Sequence, residues 1–194
     1  MKRNEIVQYL INKKGYKSYL EIGIGNGRNF SSIKCKIKDG VDPRGGGNYL
    51  MTSDLFFKIT KRNKKWDIIF IDGLHLEDQV SRDIQNSLDH LSVDGIIVMH
   101  DCNPSTHRLQ EVPRQQRAWN GTVWKAFVKL RCNRNDLFMC VVDTDHGCGI
   151  IKKGSQQIYE KASLERCLKY NFFKMNRKKL LNLISIGEFR KIKW

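Results

Sequence analysis

At 194 residues the chain has room for one domain with a real core. Its 40% apolar and 28% charged residues are those of a soluble globular protein, no apolar run approaches a membrane span, and the opening Met-Lys-Arg-Asn-Glu leads into amphipathic sequence and not a secretory leader, so a cytoplasmic protein is expected. The net charge is +15, and residues 152–194 carry 12 Lys and Arg against 3 acids, a basic surface that suits phosphates of nucleic acids, nucleotide-sugars or lipid headgroups, or acidic glycans, as readily as it serves solubility.

Residues 2–14 have Ile6, Tyr9 and Leu10 at helical spacing, and Gly15 stops that helix. A strand over 18–23 runs into Gly23, Gly25 and Gly27 at alternate positions, and Arg28 to Lys36 suits a helix. A backbone without Cβ turns sharply there and lets a ligand lie against it. Glu21 ends this first strand. Asp42 ends a second, roughly 37–42, and lies 21 residues further on, the spacing at which a carboxylate reaches ribose hydroxyls of a nucleotide-like cofactor. Pro43 to Asn48 is loop by composition. A short third strand is expected over Tyr49–Met51, then a helix from about 53 with Ser53 as its N-cap.

Ile68 to Ile71 is a continuous apolar run between polar residues, the pattern of a parallel strand buried on both faces, and it delivers Asp72 at its carboxyl end. Residues 76–91 follow as an amphipathic helix through Val80, Ile84 and Leu88. Asp94-Gly95 turns into a fifth strand, Ile96 to Met99, which delivers His100 and Asp101. Residues 103–118 form a long loop with Arg108, Arg114 and Arg117, placed to act as a substrate-facing lid. A helix then runs to about Leu130. Leu137–Val142 and Cys148–Ile151, joined by the Asp143–Gly147 turn, read as an antiparallel hairpin. The basic segment from Gln156 reads as helical, with Leu180, Leu181, Leu183 and Ile184 on one amphipathic stretch. Cys35, Cys102, Cys132, Cys140, Cys148 and Cys167 have no metal-binding spacing and read as reduced thiols.

The Glu-x-Gly-x-Gly-x-Gly stretch at 21–27 resembles the S-adenosylmethionine (SAM) motif of class I methyltransferases more than the Gly-x-Gly-x-x-Gly of NAD enzymes. With Phe70–His75 and Gly95–Asp101 it is similar to the small methyltransferases of glycan and natural-product tailoring, over about residues 15–152. The resemblance implies an α/β, Rossmann-like sandwich with a seven-stranded, mostly parallel sheet of order 3-2-1-4-5-7-6. It implies a SAM-binding domain over 1–154 and leaves 155–194 as a basic helical extension. It implies cofactor contacts at Glu21, Gly23, Gly25, Asn26, Gly27, Asp42, Ser53, Asp54 and Asp72, and chemistry at Asp72, His75 and His100. His146 stands at the same end of the sheet.

Two schemes fit an acceptor hydroxyl. A histidine, His75 first among them, takes its proton; or Asp72 and Asp101 hold Mg²⁺ or Mn²⁺, which lowers the hydroxyl's pKa. The metal-dependent relatives commonly carry a second acid at the fifth strand end, where this chain has His100 before Asp101 and Cys102 after it. The expected acceptor is a small molecule or glycan. Charge alone suggests the alternatives, a nucleic-acid methyltransferase or a non-catalytic SAM-binding module; the Asn/Asp-Pro-Pro-Tyr/Phe motif of amine-directed enzymes is absent.

Overall fold

The computed structural model describes residues 1–194. Seven strands form one sheet: β1 Ser18–Ile22, β2 Ile37–Val41, β3 Trp66–Ile71, β4 Leu91–Met99, β5 Leu137–Val142, β6 Cys148–Lys153 and β7 Leu183–Ile184. Their spatial order is β2-β1-β3-β4-β6-β5-β7. The pairs β2–β1, β1–β3, β3–β4 and β5–β7 are parallel, and β6 is antiparallel to both β4 and β5. The α/β class is as expected; the edges of the sheet are not.

The expected strand at Tyr49–Met51 shrinks to a single parallel bridge from Tyr49 to Val41. Asn48 explains the loss. Its side-chain oxygen accepts from Gly40 N at 2.9 Å and its amide donates to Lys38 O at 3.1 Å, so a side chain covers the β2 edge where a strand backbone was expected. The seventh strand comes instead from the tail. Asn182, at φ +44°, turns the chain out of its helix, and Leu183–Ile184 pair with Val141–Val142. Leu183 and Ile184, expected on a helix, are therefore strand residues.

Period-2 alternation in the strands builds two cores, one on each face. Tyr19, Ile68, Phe70, Ile96 and Val98 face α1 (Arg3–Lys14), which contributes Ile6, Val7, Leu10 and Ile11, and α8 (Ile186–Lys191), which contributes Phe189. Leu20, Ile69, Ile71, Ile97 and Met99 face the other way. They pack on α3 (Ser53–Ile59), α4 (Glu77–Asp89), α5 (Val123–Asn133) and the tail helices α6 (Leu164–Cys167) and α7 (Tyr170–Leu180). A short helix, α2 (Arg28–Ser32), follows the glycine turn. Phe173, Leu180 and Phe189 are fully buried, each contributing about 1.5–3 kcal/mol of burial, so the basic tail reaches both cores and supplies a strand. All six cysteines are free thiols, and no helix is long and apolar enough to cross a membrane.

Parallel β1, β3 and β4 end together. Asp72 N donates to Ile22 O at 2.8 Å and His100 N to Ile71 O at 3.0 Å, which brings the glycine turn, Asp72 and His100-Asp101 to one edge. That edge is where open α/β sheets bind ligands.

Candidate active site

Two clefts flank the glycine turn. The first, about 610 Å³, is walled by Gly23, Gly25, Asp42, Ser53, Asp72, His75, Asp83, Arg114 and Trp119, among others. The second, about 650 Å³, opens toward α1 and is lined by Lys2, Arg3, Glu21, Asn26, Arg28 and Asp145 among others; Gly23, Gly25 and Asp72 belong to both. Gly23 sits at φ +86° directly on the Asp72–Gly73 backbone, where a Cβ would overlap the Asp72 carbonyl. Only glycine combines that conformation with that approach.

Beside the glycine turn the acids are held by neutral donors. Asp42 Oδ2 accepts from Ile24 N at 2.9 Å and Gly25 N at 3.0 Å, and Oδ1 accepts from Arg44 N at 2.7 Å. Glu21 lies buried under the turn, where Tyr19 Oη and Asn29 Nδ2 donate to it. Burial raises its pKa to about 7 against the effect of those hydrogen bonds. Ser53 does not cap α3: Thr52 does, its Oγ1 accepting from Leu55 N, while Ser53 Oγ donates to Asp83 at 2.6 Å. Burial lifts Asp83 to about 6. Asp54 lines neither cleft and meets Gln79 and Arg82. Gly27 also lies outside both clefts and opens α2 in a left-handed conformation.

At the other end three carboxylates converge with three basic side chains. His75 Nε2 is 3.3 Å from Asp72 Oδ1, and its Nδ1 is 3.2 Å from Asp101 Oδ2 and 2.9 Å from the Trp119 carbonyl. His100, buried beneath, places Nδ1 3.3 Å from Asp72 Oδ1 and 3.2 Å from Asp101 Oδ2. Its Nε2 lies 3.7 Å from Asp145, beyond hydrogen-bond reach, and has no other partner. Arg3, the first residue of α1, donates from Nη1 to Asp72 Oδ2 at 2.8 Å and from Nε and its backbone N to Asp145 Oδ2 at 3.2 and 2.9 Å. The same Nη1 is 2.9 Å from His100 Nδ1.

Burial pushes the Asp72 carboxyl up, but hydrogen bonds from His100 and His75 outweigh it and hold the group well below the usual carboxylate range. Burial pulls both imidazoles down, and the carboxylates around them raise both instead. Asp101 adopts φ +62°, a strained conformation for a residue with a side chain, of the kind that gathers at functional sites.

Several members of this constellation carry no sequence motif. Arg3 and Asp145 lie 142 residues apart, and only the fold joins them. Trp119 stacks on His75 with ring centroids 5.5 Å apart. Gly121, at φ +59°, packs so closely that a Cβ would overlap the His75 carbonyl. Thr122 takes part as a brace: its Oγ1 accepts from Glu77 N at 2.7 Å and its N–H donates to His75 O. His146 stands edge-on to His100 at 6.2 Å between ring centroids.

Asp72, His75 and Asp101 offer ligand atoms within 4.8 Å of one another, and two carboxylates with an imidazole suit a divalent cation. Those atoms already have basic partners. Arg3 holds one oxygen of Asp72 and the histidines face its other oxygen and Asp101 Oδ2. With Arg3 in place the set does not fit a metal.

Residues 46–102, from the loop after β2 to just past the end of β4, match the family model of a methyltransferase domain. No curated protein matches the chain. Among solved structures it is similar to a Klebsiella pneumoniae protein provisionally described as an O-methyltransferase, with a TM-score of 0.60, 11% identity, and 79% of this chain and 80% of that one covered. It is similar to the methyltransferase PaMTH1 of Podospora anserina, solved with S-adenosylhomocysteine (SAH), at TM-score 0.57 and 16% identity over 79% and 78% of the two chains. It is also similar to MycE of the mycinamycin pathway, solved with Mg, SAH and mycinamycin VI, at TM-score 0.51 and 14% identity over 78% of this chain and 49% of that one. The family match is confined to residues 46–102, and what the chain shares with these solved structures is their fold. The match covers the two strand ends that deliver Asp72 and His100-Asp101.

Proposed function

We propose that the chain transfers the methyl group of SAM to a hydroxyl of a small sugar- or glycan-type acceptor. The observation that carries this is the His75 ring held between Asp72 and Asp101 on the wall of the cleft that also contains the glycine turn and Asp42. SAM brings its own electrophile, so the protein's task is to align the acceptor oxygen with the methyl and to receive one proton.

The acceptor oxygen forms the new C–O bond as the methyl–sulfur bond breaks, leaving SAH. The hydroxyl proton passes to His75. The imidazolium formed is what the two flanking carboxylates and the Trp119 carbonyl are arranged to stabilise, and Trp119 fixes the ring plane. On this reading Asp42 takes the ribose hydroxyls; it lines the cleft together with Ser53 and Asp83. Arg44 and Arg114 at its rim suit an acceptor bearing oxygen-rich or anionic groups.

Calorimetric titration with SAH tests the cofactor half: micromolar binding is expected, and none removes the reading. Methyl transfer from labelled SAM to a panel of sugar hydroxyl acceptors tests the rest. Transfer to RNA, with binding that collapses at high salt, would move the acceptor to nucleic acid. SAH binding without transfer to any acceptor would leave a binding module.

A further inference from the structure

The cation position of this site is already taken by a side chain. Asp72, Asp101 and Asp145 arrive from the ends of β3 and β4 and from the β5–β6 turn, and three carboxylates this close need positive charge among them. Arg3 meets that need with a fork that no lysine reproduces: Nη1 on Asp72 at 2.8 Å, Nε on Asp145 at 3.2 Å. Its backbone N–H also donates to Asp145, and Thr144 Oγ1 donates to Met1 O, so the chain leading into α1 is tied to the β5–β6 turn at Met1 and at Arg3 itself. The side chain is 33% exposed, with one edge toward the second cleft, while Asp72 is 17% exposed.

We propose that Arg3 is the resident cation of the reaction centre: it occupies the outer oxygen of Asp72, keeps a divalent metal from binding there, and lets methyl transfer proceed without one. It is a positioning residue, acting through Asp72. The inference rests on the reading above only for its bearing on transfer; its main test reads metal binding to the protein alone. A divalent ion brought to Asp72 would have to displace the guanidinium or share a carboxylate with it, and like charges a few ångströms apart oppose one another strongly where water is partly excluded.

The experiment is Mn²⁺ binding, by calorimetry and by electron paramagnetic resonance, to the wild-type chain, Arg3→Gln, Asp145→Asn and the double variant Arg3→Gln/Asp72→Asn. Wild type is expected to bind Mn²⁺ weakly, Arg3→Gln about tenfold or more tightly than wild type, and the double variant to lose that gain. Asp145→Asn removes one anchor of Arg3 and leaves Asp72, His75 and Asp101 intact, so a smaller gain in the same direction is expected; it also stands in should Arg3→Gln fold poorly. An unchanged circular-dichroism spectrum and a cooperative melting transition certify the fold of each variant. Transfer by the wild type should persist in EDTA. Tight Mn²⁺ binding by the wild type, no gain in either single variant, or a gain that survives loss of Asp72 would each overturn the proposal. Failure of SAH binding or of transfer would instead strike the methyltransferase reading and leave the metal measurement standing.

Discussion

The two ends of the ligand-binding edge solve the same problem differently. Beside the glycine turn, Glu21 and Asp42 are satisfied by neutral donors: a tyrosine hydroxyl, a carboxamide, and the backbone N–H groups of Ile24, Gly25 and Arg44. At the ends of β3 and β4, Asp72, Asp101 and Asp145 face Arg3, His75 and His100. The difference separates two jobs. An acid held by neutral donors shapes a loop and can exchange one hydrogen bond for a ligand's at little cost. An acid held by a guanidinium and imidazoles keeps its charge and is coupled to groups that can take up a proton.

The sharpest way to break this division is Asp72→Asn. It leaves the side chain's shape and removes the charge that faces Arg3, His75 and His100. Transfer is expected to fall about 10³-fold, with SAH affinity within about tenfold of wild type, since the loss lies in proton transfer and alignment. A parallel collapse of SAH binding would show that Asp72 serves the cofactor first, and the two ends would merge into one. The same substitution should lower the apparent pKa in the pH–rate profile: the Asp72 carboxylate favours the charged imidazole and raises His75, so its removal lets His75 lose its proton at lower pH.

The join between the ends is Gly23. Gly23→Ala places a Cβ into the Asp72–Gly73 backbone at a positive φ, so the glycine turn and the β3 end must separate. A loss of about 3 kcal/mol in chemical denaturation is expected, together with most of the SAH affinity. Full stability in that variant would mean that the two strand ends tolerate separation and that the shared floor of the clefts is not fixed.

Much of this was legible in the chain. The order of elements, the glycine turn and the three strand ends follow from apolar runs punctuated by Gly, Pro and Asp, because buried parallel strands must be continuous and apolar and their ends must turn. What was not legible depends on single side chains acting as backbone. Asn48 covers the β2 edge, so the expected strand at 49–51 is one bridge; Asn182 ends a helix and makes Leu183–Ile184 a strand. Periodicity sees only the hydrophobic pattern, which is the same in either case. Asp72, His75 and Asp101 could be placed near one another because each ends or follows a strand. Arg3, Asp145 and Trp119 could not, since pairing across 142 residues leaves no local signature.

Glu21 sharpens the comparison through pH. Its carboxyl, raised by burial to about 7, binds a proton in the folded state that the unfolded chain releases near its ordinary value of 4.5. Its contribution is therefore fully present below about pH 4.5 and is lost as pH rises through about 7, a swing on the order of 3 kcal/mol. Glu21→Gln should flatten that stretch, and the difference in melting temperature between pH 5 and pH 8 should shrink. An unchanged difference would mean that Glu21 is ionised throughout and that some cation reaches it, which would make the two ends alike.

The smallest expected effect asks what Asp42 does. Its carboxylate staples the turn through Ile24 N, Gly25 N and Arg44 N, which is enough to account for an acid at this position without any ligand. It also lines the first cleft, and ribose hydroxyls could share its oxygens. Asp42→Asn separates the two roles, because the amide keeps one acceptor for the turn and presents donors where a ribose would donate. If Asp42 holds the cofactor, SAH affinity should fall about tenfold while the melting temperature moves by a few degrees at most. If the melting temperature falls and the affinity does not, the acid belongs wholly to the loop. Neutral donors would then mark an architectural carboxylate and not one held in reserve for a ligand, and the cofactor's ribose would have to be held by other groups of the cleft.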